Sequence, residues 1–251
     1  MTAAPARVVR ADCLPWLMGL SEKIADGICT DPPYSSGGQY RGDRAQSTRT
    51  KYVNSDAVDP APDFTGDNRD QRAYLAWCSL WLAECLRVSK PGAVCMLFTD
   101  WRQLPTTTDA LQAGGWVWRG VVPWYKPLAR PQSGRFTAAC EYVVWGTNGQ
   151  RTIDGECFPG FYQYPPPRDR EHQTQKPLGL MSDLLQIIPE GGLVLDPFAG
   201  SGATGVAAAQ TGREFLGCEL DSRFAEVAAE RVAEAYGGPP RPKNPAQGFL
   251  L

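Results

Sequence analysis

The sequence predicts an α/β fold built on a mostly parallel sheet with an antiparallel hairpin at one edge, and three observations carry that reading. Short apolar runs alternate with segments of helical spacing along nearly the whole chain. Near the C-terminus, Gly192-Leu193-Val194-Leu195-Asp196 enters a glycine loop, Pro197-Phe198-Ala199-Gly200-Ser201-Gly202, followed by an Ala-rich helix and a second strand that ends on an acid, Glu219. Near the N-terminus, the apolar run Gly27-Ile28-Cys29-Thr30 ends abruptly on Asp31-Pro32-Pro33-Tyr34. Open α/β sheets bind ligands in the crevice outside the carboxyl ends of their strands. The two loops therefore belong together, and their strands are expected to be neighbours.

The elements follow in order. Val8–Ala11 reads as a strand ending at Asp12, and Gly27–Thr30 as the next. Residues 35–70 are rich in Gly, Ser, Asp and Pro with few apolar anchors, longer than ordinary connections. Because that stretch leaves the tetrapeptide directly, a loop closing over substrate is favoured over an inert linker. Asp70–Val88 has helical spacing (Tyr74, Trp77, Leu80, Trp81, Leu86), is stopped by Pro91-Gly92, and turns its aromatics to the core. A strand over 93–98, a helix over 102–113 and a strand pair over 116–125 and 140–145 come next. Residues 146–171 read as irregular. A helix over 177–188, the strand of the glycine loop, a helix over 203–211, a strand over 214–218 and a last helix over 222–236 complete the domain. The tail 237–251 is rich in Pro and Gly and reads as poorly ordered.

Composition bounds the class. A chain of 251 residues makes one large domain, here 1–236, with a small appendage. It has no apolar run of membrane-spanning length and no signal peptide over residues 1–10, which points to the cytoplasm. Eight cysteines form no C-x-x-C pair, and several lie within apolar runs, as buried reduced thiols do. With one histidine and scattered thiols, no metal site is expected.

The two loops carry complementary chemistry. Asp31 is an acceptor for one hydrogen of a planar amino group, the carbonyl of Pro32 for another, and Tyr34 offers a stacking face. The same tetrapeptide would also suit an ordinary turn. The βαβ unit is the stronger signal: its glycines let the backbone approach a nucleoside, and Glu219 stands where a carboxylate can hold ribose hydroxyls.

Together the motifs resemble the DNA methyltransferases that transfer a methyl group from S-adenosylmethionine to the exocyclic nitrogen of adenine or cytosine. The order, tetrapeptide first and glycine loop near the C-terminus, is similar to their circularly permuted β class. Two further stretches match: His172-Gln173-Thr174-Gln175-Lys176-Pro177 ahead of the glycine-loop strand, and Asp12-Cys13-Leu14 near the start. The resemblance covers almost the whole chain and implies a Rossmann-like methyltransferase fold with a seven-stranded sheet. It implies Asp31, Pro32, Pro33 and Tyr34 as catalytic. It implies a cofactor pocket of Asp12, Cys13, Asp31, Asp196, Phe198, Ala199, Gly200, Ser201, Gly202, Glu219 and Leu220, with Lys176 facing the methionine carboxylate. Adenine N6 is the implied target, since Asp in this tetrapeptide is commoner among adenine enzymes. N4 of cytosine and a non-catalytic cofactor-binding subunit are the alternatives. A homodimer and a cognate restriction nuclease are partners the resemblance admits.

Net charge is −2, so DNA contact must come from local patches. Arg41, Arg44, Arg49 and Lys51 stand against Asp43 alone, and Arg119, Lys126, Arg130 and Arg135 share a stretch without acids. Of these, Lys126, Arg130, Arg135 and the four in the long loop are the expected phosphate contacts; solvated loop charge is the plainer reading. Residues 146–171 are short for a dedicated recognition domain.

Overall fold

The computed structural model describes residues 6–34, 69–129, 131, 133–152, 156–167 and 176–238. Along the chain these form β1 (Arg7–Arg10), α1 (Cys13–Met18), β2 (Ala25–Thr30), α2 (Gln71–Val88), β3 (Ser89–Thr99) and α3 (Leu104–Ala113). The rest are β4 (Val117–Tyr125), β5 (Cys140–Thr147), β6 (Tyr162–Gln163), α4 (Leu178–Leu185), β7 (Leu193–Asp196), α5 (Ala203–Gln210), β8 (Glu214–Glu219) and α6 (Ser222–Ala235).

One sheet holds all the described strands in the order β1-β8-β7-β2-β3-β5-β4-β6. The ladders from β1 to β3 are parallel, and β5 runs antiparallel to both β3 and β4. The expected adjacency holds: Gly27 pairs with Val194 and Ile28 with Leu195, so Asp31 and the glycine loop leave neighbouring strands at the same end.

Two cores sandwich the sheet. Cys13, Leu17, Tyr74, Cys78, Trp81, Leu82 and Leu111 pack one face under α1, α2 and α3. Leu180, Met181, Leu184, Val206, Ala207, Phe215 and Val232 pack the other under α4, α5 and α6. The central strands are mostly apolar because both faces are covered; Ile28, Cys29, Val94 and Leu195 are fully buried. Helix starts follow local chemistry: Asp70 caps α2 by accepting from Arg72 N and Ala73 N, and Asp221 caps α6 from Arg223 N and Phe224 N.

Two expectations need correction. The sheet has eight strands, because Tyr162–Gln163 adds a short parallel edge beside β4, inside a segment read as irregular. Two bonds fix it there: Trp124 Nε1 donates to the Tyr164 carbonyl (2.9 Å) and Tyr164 N to the Tyr125 carbonyl (3.2 Å). Pro165-Pro166-Pro167 supplies no further donors, which limits its length. The hairpin is therefore one strand in from the edge. Second, Pro91-Gly92 does not end α2. The helix closes at Val88, where the Ser89 hydroxyl donates to the Cys85 carbonyl (2.7 Å), and Pro91-Gly92 lies in β3, where the β2–β3 ladder shifts register. Cys13–Met18, which had no reading from the sequence, is a helix capped by Asp12 through Leu14 N (3.0 Å).

Candidate active site

The tetrapeptide leaves β2 with its side chains already bound to one another. The Tyr34 hydroxyl donates to Asp31 Oδ1 (2.6 Å), and the Lys176 ammonium donates to Asp31 Oδ2 (2.5 Å) and to the Tyr34 oxygen (3.0 Å). Lys176 is 5 % exposed and lies over the rings of Phe98 (5.0 Å) and Tyr34 (5.6 Å). Burial pushes the Asp31 carboxyl up, and the Lys176 charge opposes that shift. Each carboxylate oxygen of Asp31 still has one lone pair for a further donor.

Lys176, expected at the methionine carboxylate, is paired here with Asp31. Its second counterion, Glu141 on β5, lies at 3.3 Å, and Lys126 donates to the other Glu141 oxygen (2.8 Å). Lys126, expected to face phosphate, therefore turns its charge into this cluster, with its Nζ 5.3 Å from the centre of the Trp124 ring. Glu141 escaped sequence reasoning, although an acid near the head of the apolar run 140–147 was a signal.

The glycine loop is built by Asp196. Its Oδ1 accepts from Thr30 Oγ1 (2.6 Å) and from Phe198 N (3.0 Å), and its Oδ2 from Thr204 Oγ1 (2.6 Å). One buried carboxylate thus ties β2, the loop and α5 together. Burial raises its pKa to about 6, against the pull of those three donors. Its role is to shape the loop; neither threonine was anticipated. Gly202 has φ +82°, and a Cβ there would sit 3.1 Å from the Ala228 Cα, so only glycine fits. Ala199 N donates to the Cys218 carbonyl (2.9 Å) and Arg231 donates to the Ser201 carbonyl, which pins the loop to β8 and α6.

Glu219 ends β8 beside the loop. Its Oε2 accepts from Gly200 N (2.9 Å) and its Oε1 from Asp221 N (2.9 Å), and burial raises its carboxyl pKa. Leu220 beside it is 53 % exposed. Asp12 arrives from the adjacent β1, where Arg10 pairs with Glu219. Phe198 wedges edge-on between Trp77 (5.4 Å) and Trp81 (5.1 Å), aromatics read from the sequence only as core. The Arg69 guanidinium covers Trp77 at 4.0 Å, so the long segment after Tyr34 rejoins the described chain next to the same loop.

The residues fit a nucleoside cofactor. A Cβ added at Gly200, where φ is +52°, would meet no atom within 4 Å, so backbone there can be approached closely. Glu219 retains acceptor capacity for hydroxyl donors beyond its backbone partners.

Arg41, Arg44, Arg49, Lys51 and Arg130 lie outside the described residues, as do residues 172–175 of the Gln-Lys-Pro stretch. Arg135 is exposed in the connection between β4 and β5, which leaves the sheet at the end where β3 delivers Asp100. Among the described residues no group of acids, histidines and cysteines could hold a metal, and no helix is long and apolar enough to cross a membrane. Six cysteines are buried; Cys140 is partly buried and Cys157 exposed.

A sheet with this strand order and two acid-lined loops at one crevice defines a methyltransferase-type α/β domain. The N6/N4 DNA methylase family matches residues 25–164 and 147–230, and the chain belongs to that family. Among curated proteins, the type II methyltransferase M.HinfI of Haemophilus influenzae is 25% identical over 258 residues, spanning 92% of this chain and 69% of its own. The M1.HpyAVI–SAM complex superposes with a TM-score of 0.63 at 21% identity, covering 90% of this chain and 98% of that one. The PvuII cytosine-N4-specific DNA methyltransferase has a TM-score of 0.68 at 14% identity, covering 94% and 93%. The two solved structures establish likeness of fold.

Proposed function

We propose that this DNA methylase transfers the methyl group of S-adenosylmethionine to N6 of an adenine taken out of the DNA stack. The observation that carries the reading is the placement of Asp31 across the β2–β7 ladder from the glycine loop, so that an amino-group acceptor and a nucleoside cradle face one crevice. When bound, S-adenosylmethionine supplies a methyl carbon on a positive sulfonium sulfur, an electrophile that needs no activation by the protein.

The chain's own part is positioning. The Asp31 carboxylate and the Pro32 carbonyl accept the two amino hydrogens, which turns the nitrogen lone pair out of the ring and toward the incoming carbon. Tyr34 stacks on the base while its hydroxyl stays on Asp31. On methyl transfer the target nitrogen would have to give up one proton. The Asp31 carboxyl, its pKa raised by burial, is placed to take it. Glu219 holds the ribose hydroxyls, and Phe198, Ala199, Gly200, Ser201 and Gly202 form the cradle, with Asp12 and Cys13 at the adenine edge. A base inside a duplex cannot reach this crevice, so it is flipped out or single-stranded. Arg41, Arg44, Arg49 and Lys51 of the long loop, with Arg130 and Arg135 of the β4–β5 connection, are the proposed phosphate contacts.

Adenine is favoured over cytosine by the Asp form of the tetrapeptide. N4 of cytosine presents the same amino geometry, and the fold is shared with a cytosine-N4 enzyme, so it stands as the second reading. Mass spectrometry of hydrolysed product DNA decides: N6-methyladenine is expected, and N4-methylcytosine would overturn the choice of base while leaving the site intact.

A further inference from the structure

We propose that Glu141 is a positioning residue for methyl transfer, holding the Lys176 ammonium on the Asp31 carboxylate. The inference rests on the functional reading of Asp31 above. It starts from a charge sequence that crosses three strands: Asp31 after β2, Lys176 ahead of α4, Glu141 on β5 and Lys126 after β4. The links measure 2.5 Å, 3.3 Å and 2.8 Å. Two acids and two bases balance in this part-buried cluster, with Lys176 its most buried member.

The middle link is unusual. Glu141 Oε2 is buried and accepts no hydrogen bond among the described residues, yet it lies in ion-pair contact with Lys176 Nζ. A carboxylate oxygen left this way is costly unless its charge is used. Here Lys176 is the use. Buried against Phe98 and Tyr34, the ammonium is disfavoured, since burial by itself lowers a lysine pKa; the Asp31 and Glu141 charges reverse that and hold it above its ordinary value. Glu141 is held below the ordinary carboxylate range despite its burial, because Lys176 and Lys126 flank it. The other titratable groups facing the cluster are Tyr34, Asp100 after β3 and Asp196 at the end of β7. Asp31 alone already neutralises Lys176. A second carboxylate lets Lys176 stay charged while Asp31 turns one oxygen to the target amino group.

The test is Glu141→Gln, which keeps the shape and removes the charge. Two readouts separate positioning from scaffold. The first, independent of catalysis, is titration of Lys176 by NMR in protein labelled at the lysine side-chain carbons, assigned with Lys176→Arg. An opposite charge within contact shifts a pKa by about 1–3 units. Lys176 should therefore lose its proton at least about one pH unit lower in Glu141→Gln than in the wild-type chain. Lys126→Met, which removes the outer cation and leaves Glu141 in place, should not lower it.

The second is the single-turnover methylation rate at saturating cofactor and DNA. It should fall in Glu141→Gln relative to wild type as pH rises through the variant's Lys176 midpoint, by about tenfold one pH unit above that midpoint, with cofactor affinity measured by calorimetry unchanged. Should Glu141→Gln fail to fold, Glu141→Asp draws the charge back by one methylene and should give a smaller downward shift in the same titration. A Lys176 midpoint that does not move in the folded variant overturns the proposal, as does lost cofactor affinity without a change in the pH profile. A wild-type chain that methylates no DNA would defeat the functional reading alone, since the titration remains to be scored.

Discussion

Replacing Thr204 by Val tests whether Asp196 organises the glycine loop as a buried, partly ionised carboxylate. Valine has nearly the shape of threonine, so the change deletes one hydrogen bond and little else. The bond lost is short, 2.6 Å, and the acceptor is 2 % exposed, so no water replaces the donor readily. A hydrogen bond to a charged group contributes about 1.5–3 kcal/mol, and one between neutral groups about 0.5–1.5 kcal/mol. The cost must then depend on the charge of Asp196.

Its folded pKa is raised from 3.8 to about 6 by burial, so stability from this group is complete below the unfolded value and is lost as pH rises through 6. Removing a donor raises the folded pKa further, and each unit corresponds to about 1.4 kcal/mol. The loss therefore continues above pH 6 in the variant after it has ended in the wild type. Urea unfolding without cofactor should show Thr204→Val destabilised by about 1 kcal/mol at pH 5 and about 2 kcal/mol or more at pH 8, with an unchanged m-value. Equal destabilisation at the two pH values would refute the argument: Asp196 would then carry the same charge throughout, and the loop would be held by packing.

Asp31→Ala should reduce single-turnover methylation at least about a hundredfold, the scale for losing a transition-state hydrogen bond, while calorimetric cofactor affinity changes little; near-normal turnover would remove Asp31 from the chemistry. Glu219→Ala should do the converse. It should weaken S-adenosylmethionine binding by about tenfold or more, as loss of a charged acceptor does, and an unaltered dissociation constant would displace the ribose from β8. Gly202→Ala forces a side chain into φ +82° and against Ala228, so the thermal midpoint should fall by an amount matching about 1–2 kcal/mol; an unshifted midpoint would mean the loop can relax. Removing Arg41, Arg44, Arg49 and Lys51 together should weaken DNA binding and flatten its salt dependence, by roughly 0.9 in log–log slope for each lost contact. Wild-type affinity and slope would leave recognition to the β4–β5 connection.

The sequence by itself determined the sheet's type, most helix and strand positions, and both loops of the site, because each is a local statement. Asp31-Pro32-Pro33-Tyr34 ends an apolar run, and the glycines of 200 and 202 permit positive φ whatever surrounds them. The adjacency of β2 and β7 was also legible, since both loops had to open on one crevice. The two-residue β6 was not legible, because it exists only through pairing with Trp124 and Tyr125 and has no periodicity of its own. Nor was the pairing of Lys176 with Asp31, 145 residues apart, or of Asp196 with Thr30, 166 apart. A lysine near a proline and a threonine in a strand have no local mark of function. Only the tertiary structure decided those roles, because the field a buried charge feels comes from whichever groups the fold brings within a few ångströms, and sequence separation places no bound on which groups those are.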